Sequence, residues 1–228
     1  MQGCFASLLR VQSALQIFHR QYKRASDTSS QLHVLGDPAF WDELREAEAV
    51  IAPLSLASYR LQRDENTVGD VVRSFGDIYK GFQQHLAHQE KLIECVEDRW
   101  EQCEQPSFML GFALHSVYVE CSRELPEAVS GIGTLAKIAV YYYRRLFGTE
   151  EIGQLRRDML AWTQRRFTIM KPSECLDSPW EYWEGVALEK PKSLLPKLAM
   201  RVLSVAPNMS VNAHKKMLQH LRIPRRSY

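Results

Sequence analysis

Hydrophobic residues recur three or four positions apart along most of this chain, the spacing that gathers them on one face of an α-helix. The first such segment spans residues 5–22. The second begins at Asp37 and Pro38, an N-cap carboxylate followed by proline at the first helical position. It extends to Leu61 and contains Pro53, which predicts a kink because proline donates no backbone hydrogen bond.

A third apolar stripe follows Thr67 and Asp70, a pair with the spacing of a helix-capping box. The stripe runs from Val68 to Trp100. A single helix of that length would be on the order of 50 Å long. The apolar spacing is interrupted near Gln89, which predicts a break at that point.

The second half of the chain continues the helical spacing in shorter segments. Gly148 follows an aromatic run and predicts a left-handed C-cap. The predicted segments are an apolar piece at 107–118, helices from about 126 to 147 and about 151 to 167, and two last helices around 180–183 and 193–203. Only residues 202–206 suggest a short strand. The sequence therefore predicts a mainly α fold of long antiparallel helices.

The composition of the chain argues against several classes of function. The 228 residues include 29 basic and 27 acidic side chains, a net charge of +2. This balance argues against a strong independent grip on nucleic acid or on a membrane surface. The five cysteines are odd in number and form no CxxC pair, which favours a reduced, intracellular chain. Arg10 and several glutamines interrupt the first apolar segment, which favours a cytosolic or nuclear helix over a signal peptide.

Residues with metal-binding or nucleophilic chemistry are scattered. His85 and His88 lie three positions apart, upstream of Cys95 and Cys103, and could share a zinc ion on one helix face. Their spacing fits no zinc-ligand framework, so a solvated polar face is the favoured interpretation. Neither Cys95 nor Cys175 has a local nucleophile signature, and both are predicted to be buried structural thiols.

Two further sequence patterns each have a structural and a functional interpretation. The glycines of "GIGT" at 131–134 follow no strand, so close helix packing is favoured over a phosphate loop. "YYYRRLFG" at 141–148 mixes aromatic and basic residues as single-strand nucleic-acid surfaces do. Core packing with a solvated phenol edge is the favoured interpretation of the second pattern. The basic tail 214–228 is expected to be a frayed terminus.

Four stretches of the chain form an ordered set of motifs. They are 37–82, which begins "DPAFWDELREAEAV"; 106–118, "PSFMLGFALHSVY"; 178–184, "SPWEYWE"; and 194–208, "LLPKLAMRVLSVAPN". In this order they resemble the C-terminal half of hAT-family DNA transposases. Members of that family carry a Phe-Trp pair before a Leu-rich helix with an internal proline, an apolar run ending in Leu-His-Pro, a paired-Trp segment, and a dimerisation segment leading into a Ser-x-x-Pro turn. The resemblance covers about residues 5–208.

The resemblance implies an RNase H-like catalytic core interrupted by a large helical insertion. The family's catalysts are two Asp and one Glu, which bind two Mg²⁺ or Mn²⁺ ions and activate water or a DNA 3′-hydroxyl for attack on a phosphodiester. Both Asp precede the insertion, and this chain starts at or just before it. We therefore expect neither Asp, nor the family's N-terminal zinc finger, to have a counterpart here.

The family's Glu belongs directly after the turn at 204–207. An ungapped comparison places Ala213 at the position of that Glu and His214 at the position of the Arg that follows it. With no family carboxylate present, the chain lacks the hard oxygen ligands of a catalytic metal pair. The likeness ends abruptly near Met209, which suggests a local frameshift or a gene-model error that the coding DNA would reveal.

His115 is the family-motif position that the chain retains. It follows Leu114 as in the family, but Ser116 stands where the family has proline. Phe112 stands where the family has an acid or cysteine. The motif alone therefore assigns no role to His115.

The sequence predicts a truncated, catalytically inactive hAT transposase-like protein, nuclear or cytoplasmic, that at most mediates dimerisation. Residues 1–36 would hold a core remnant, 37–175 the helical insertion, and 176–228 a dimerisation-like segment that degenerates after about 208. The predicted partners are a second copy or full-length hAT transposases, with weak or no DNA binding, no membrane and no cofactor. Some apolar area of the interface residues is expected to be left exposed, because the sheet that they pack on is missing: Trp180, Trp183, Leu195, Leu198, Ala199, Val202 and Leu203.

Two alternatives stay open. An active fragment complemented in trans would support metal-dependent strand transfer when mixed with an N-terminal piece. A domesticated helical adaptor, or a nucleic-acid-associated nuclear protein, would instead have acquired a specific new partner.

Overall fold

The computed structural model describes residues 2–24, 29–63, 65–85, 88–126, 131–172, 175 and 178–205. Over these residues the chain is mainly helical, and no strand occurs in the described ranges. The helices are α1 Gln2–Arg10, α2 Gln12–Tyr22, a 3₁₀ helix Ser30–Gly36, α3 Pro38–Leu61, α4 Val68–Gln83, α5 Gln89–Cys103, α6 Pro106–Leu114, α7 Val119–Arg123, α8 Ile132–Phe147, α9 Leu155–Thr163, α10 Pro179–Glu189 and α11 Leu195–Leu203.

The mainly α prediction is confirmed, and so are several predicted helix ends. The Ala39 amide donates to Asp37 Oδ1 at 2.9 Å, the N-cap contact expected at the start of α3. The predicted break in the third stripe separates α4 from α5. Gly148 caps α8 in the left-handed conformation, with φ of 61°.

Two predictions about local structure are wrong. The short strand expected at 202–206 does not form, because Val202 and Leu203 belong to α11 and bury their side chains as part of its apolar face. Among the described residues, close helix packing does not explain Gly133, since a Cβ at that position would meet none of their atoms within 4 Å. The divergent segment with Ala213 and His214 lies outside the described residues, as does the basic tail.

The chain divides into two compact units. Unit 1 comprises Met1–Ser58 and Asp77–Glu94, and unit 2 comprises Tyr59–Gly76 and Cys95–Tyr228. No helix within the described ranges is both long and apolar enough to span a lipid bilayer.

Unit 1 has few buried residues. Trp41 of α3 is fully buried, and its indole nitrogen donates to the Leu35 carbonyl at 2.9 Å. The helix continues past Pro53, whose ring lies against Gly81 of α4 so closely that a Cβ at 81 would be 2.6 Å from Cγ of the proline. Glycine at 81 therefore lets the two helices approach.

Unit 2 contains the main core, which is organised around α6. Residues 107–114 of this nine-residue helix are all buried, because α6 contacts α7, α8 and α11. A helix that is apolar on every side is stable only when it is surrounded in this way. The fully buried side chains of the unit 2 core include Leu110, Leu114, Leu135, Leu155, Met159, Trp183, Leu195 and Leu198.

Candidate functional site

A polar cluster joins the start of α4 to the turn after α6. The Thr67 amide donates to Asp70 Oδ2 at 2.7 Å, and the Gly69 amide donates to Thr67 Oγ1 at 3.2 Å, so the predicted capping box is confirmed. The second carboxylate oxygen, Asp70 Oδ1, accepts the Tyr118 hydroxyl at 2.6 Å. Burial, and then the hydrogen bond to Asp70, raise the pKa of Tyr118, which keeps its hydroxyl a donor at neutral pH.

His115 lies directly after α6 and is 6% exposed. Its ring stacks on Tyr118 with centroids 4.1 Å apart, and its Nδ1 accepts the Val117 amide at 3.2 Å. Burial lowers the pKa of His115 to about 4, against the smaller opposing effect of the Asp70 carboxylate. The imidazole is therefore neutral at physiological pH, and its Nδ1 serves as a backbone acceptor.

The backbones of α4 and α6 touch where two glycines face each other. A Cβ at Gly69 would lie 3.1 Å from the Gly111 carbonyl oxygen, and one at Gly111 would lie 2.4 Å from Val68 Cγ2. A side chain at 111 would clash with Val68, and one at 69 would force the two backbones slightly apart, so glycine at both positions suits this approach. The contact fixes the distance between Asp70 and the turn that carries Tyr118.

Two indoles satisfy backbone carbonyls at the C-terminal end of α6. Trp162 Nε1 donates to the Ala113 carbonyl and Trp183 Nε1 donates to the Leu114 carbonyl, both at 2.8 Å. The last carbonyls of a helix have no partner within the helix, so a buried helix end needs such donors. These bonds, together with those of Asp70, show that the polar atoms around His115 make hydrogen bonds that hold the fold together.

Ser116 follows His115 and has a buried hydroxyl group. Its side chain is 1% exposed, and its hydroxyl oxygen has no hydrogen-bond partner among the described residues. The Tyr118 amide donates to the His115 carbonyl at 3.1 Å. That bond closes a β-turn in which Ser116 occupies the second position, where proline is favoured.

Six of the seven predicted dimerisation residues are buried inside unit 2. They are Trp183, Leu195, Leu198, Ala199, Val202 and Leu203. The expected exposure is not found at these six residues, because α6 and α10 cover α11. Trp180 is 41% exposed, and its indole nitrogen donates to Glu184 Oε1 at 2.9 Å. Of the seven residues, Trp180 alone offers area to a second chain, and dimerisation through the segment stays a prediction.

In the described residues, the candidate metal-binding and thiol side chains do not form a cluster. His88 lies 3.5 Å from Glu46, and in the described parts of the chain no three His, Cys, Asp or Glu residues could hold a metal ion together. The prediction of a buried thiol is wrong for Cys95, which is exposed because α5 buries Val96 instead, and Cys175 is half-buried. Burial raises the pKa of the Cys103 thiol, which disfavours the thiolate form.

The exposed apolar surface of α2 is a feature that the sequence did not predict. Val11, Leu15, Phe18 and Tyr22, spaced by four, three and four residues, define what we call the α2 stripe. No residue of α2 is buried, and Val11, Phe18 and Tyr22 each expose between 43 and 49% of their surface. The periodicity was visible in the sequence, but an apolar stripe normally predicts burial rather than exposure.

A second surface feature is a cavity of about 490 Å³ between α8 and α9 in unit 2. Four basic side chains line it, together with Tyr141 and Glu150: Lys137, Arg144, Arg145 and Arg156. The mixed aromatic and basic run at 141–148 was the sequence signal for part of this site. Arg156 comes from a different helix, so sequence spacing alone could not add it.

Comparison of the chain with protein-family models, with curated proteins and with solved structures finds no match. The resemblance to hAT transposases therefore stays a prediction from the sequence.

Proposed function

We propose that this chain is a helical adaptor of hAT-transposase descent, which acts by docking the α2 stripe on a partner protein and has no catalytic activity of its own. The observation that carries the proposal is the exposure of that stripe. Large apolar side chains grouped on a helix surface are characteristic of binding faces. Recognition of an amphipathic helix by an apolar groove uses anchors with this three-and-four spacing.

The charge around the α2 stripe favours an acidic partner. Residues 2–24 contain Arg10, Arg20, Lys23 and Arg24 and no acidic residue. Pairing of this surface with a second copy would bring two groups of four positive charges together, which disfavours a homodimer through α2. A partner with an apolar groove and an acidic rim complements both the stripe and the charge.

The proposed descent is supported by how the four resembling stretches meet in unit 2. The bond between Asp70 and Tyr118 joins the first stretch to the second. The bond between Trp183 and the Leu114 carbonyl joins the third to the second. The fourth stretch contributes α11, which packs on α6. Segments inherited together from one ancestral core are expected to keep such mutual contacts.

The proposed lack of catalysis depends on the sequence comparison, in which no family carboxylate has a counterpart. Cleavage or joining of plasmid DNA by the purified chain with Mg²⁺ or Mn²⁺, abolished by a chelator, would contradict this part of the proposal.

The docking proposal is tested by binding to a protein of the stated chemistry. Calcium-loaded calmodulin is the probe, because it presents an apolar, Met-rich groove to basic amphipathic helices. We expect the whole chain to bind the probe with a Kd of about 10 μM or tighter in titration calorimetry. The double variant Phe18→Glu, Tyr22→Glu should weaken binding at least about tenfold, because it places charges in the apolar contact.

The matched control alters equally exposed apolar residues outside α2. Ile169 and Leu188 of unit 2 are 89% and 85% exposed. The double variant Ile169→Glu, Leu188→Glu should bind the probe like the unmodified chain. No binding of the unmodified chain, or equal weakening by both double variants, would overturn the proposal.

A further inference from the structure

The cavity in unit 2 is built by one face of α8 and the start of α9. Lys137, Tyr141, Arg144 and Arg145 lie on α8 at spacings of four, three and one residues, so the first three share one face of the helix. Arg156 adds a fourth positive charge from α9. Four cations from two helices thus converge on one concave space of about 490 Å³.

The cations of this cavity are only partly neutralised by the protein. Arg144 Nε lies 2.9 Å from Glu150 Oε2, and Arg145 Nη1 donates to the Tyr141 hydroxyl at 3.3 Å. Lys137 and Arg156 have no hydrogen bond or ion pair in the part of the chain that the structure describes. With one acidic residue among four basic ones, the lining has an excess of three positive charges.

Like charges placed close together on a helix destabilise it slightly, and a bound anion would relieve this repulsion. Arginine guanidinium groups bind phosphate through paired, charge-assisted hydrogen bonds, and lysine adds a point charge. The half-buried Tyr141 ring also lines the cavity and offers aromatic surface to an organic group. These features match a ligand that combines several phosphate charges with a ring.

We propose that the cavity between α8 and α9 binds a small molecule bearing a di- or triphosphate, such as a nucleotide. This site lies in unit 2 and is independent of the α2 stripe. Its volume falls within the roughly 300–1,000 Å³ that small-molecule sites usually occupy. Nucleic acid is less well matched, because the chain is close to neutral at +2 and an extended backbone requires a basic track rather than a local cluster.

The test measures binding of ATP and of inorganic tripolyphosphate to the whole chain by titration calorimetry at about 0.15 M ionic strength. We expect ATP to bind with a Kd of about 100 μM or tighter. Tighter binding of ATP than of tripolyphosphate assigns part of the affinity to Tyr141, and equal binding assigns it to the phosphates. Both outcomes support a polyphosphate site.

The variant for this site is Lys137→Gln, Arg156→Gln. Since neither side chain has a described partner within the chain, the substitutions remove charge from the cavity without breaking a contact. We expect about a tenfold or greater loss of ATP affinity. Arg157→Gln is the control, because it removes an exposed cation next to Arg156 that does not line the cavity; its ATP affinity should stay within about twofold.

Three results would overturn the proposal. The first is no binding of either probe. The second is an equal loss of affinity in Arg157→Gln, which would indicate unspecific charge attraction. The third is tighter binding of a single-stranded oligonucleotide of about 12 nucleotides that the cavity variant leaves unchanged, which would indicate an extended nucleic-acid surface.

Discussion

At the scale of single residues, Asp70 connects local and long-range structure. One of its carboxylate oxygens completes the capping box of α4, and the other accepts the Tyr118 hydroxyl from 48 positions away. The capping box was predictable because helix caps follow short-range sequence rules. The bond to Tyr118 was not, since it depends on the approach of Gly69 and Gly111, which no local pattern encodes.

Replacement of Ser116 by proline should stabilise the fold. His115 has φ of −72° and ψ of 122°, the extended conformation that a residue before proline adopts. Ser116→Pro would also remove a buried hydroxyl without a described partner. We expect an increase of about 0.4–1 kcal/mol in the free energy of unfolding. A decrease measured by urea unfolding would show that the turn does not tolerate proline.

The stability of the protein should depend on pH through His115. Its pKa is lowered to about 4 in the folded chain, whereas an unfolded histidine has a pKa of about 6.5. Between these values the unfolded chain binds a proton that the folded chain does not, so stability falls as the pH drops from about 6.5 to 4. The loss is at most about 1.4 kcal/mol per pH unit.

His115→Phe keeps the aromatic contact with Tyr118 and removes the titrating group. Its unfolding free energy should therefore fall less steeply over the same pH range. Identical slopes for the variant and the unmodified chain would show that burial of His115 does not cause the pH dependence.

At the scale of elements, α6 is the helix around which unit 2 is built. Every side of α6 is buried, so its sequence has no polar face and no amphipathic periodicity. The sequence therefore showed that the segment is apolar, but not that other helices pack around it. The break between α4 and α5 was predictable from a gap in the apolar stripe. Which helices would cover α6 was not, because periodicity gives the apolar face of a helix and not its neighbour.

Loss of the indole donor at the end of α6 should destabilise unit 2. Trp183→Phe leaves the buried Leu114 carbonyl without its donor, which costs about 1–3 kcal/mol in unfolding free energy. Trp180→Phe is the matched control. That indole is 41% exposed and bonds to an exposed glutamate, so a change within about 0.5 kcal/mol is expected. Urea unfolding followed by circular dichroism compares the two variants. Equal losses of unfolding free energy would show that the buried donor contributes no more than the exposed one.

At the scale of the whole molecule, the apolar surface is distributed differently from the sequence expectation. Some apolar area of the C-terminal segment was expected to be left exposed by a missing sheet, but helices of the same chain cover residues 195–203. The α2 stripe is an apolar face that stays exposed. We therefore propose binding at α2 and in the cavity of unit 2 rather than at the motif positions around His115.

The most direct test of the docking claim is amide hydrogen exchange of the whole chain with and without calcium-loaded calmodulin. We expect slower amide exchange over residues 11–22 in the presence of the probe and an unchanged rate over 195–203. Unchanged exchange over 11–22, or slowing confined to 195–203, would contradict the docking claim.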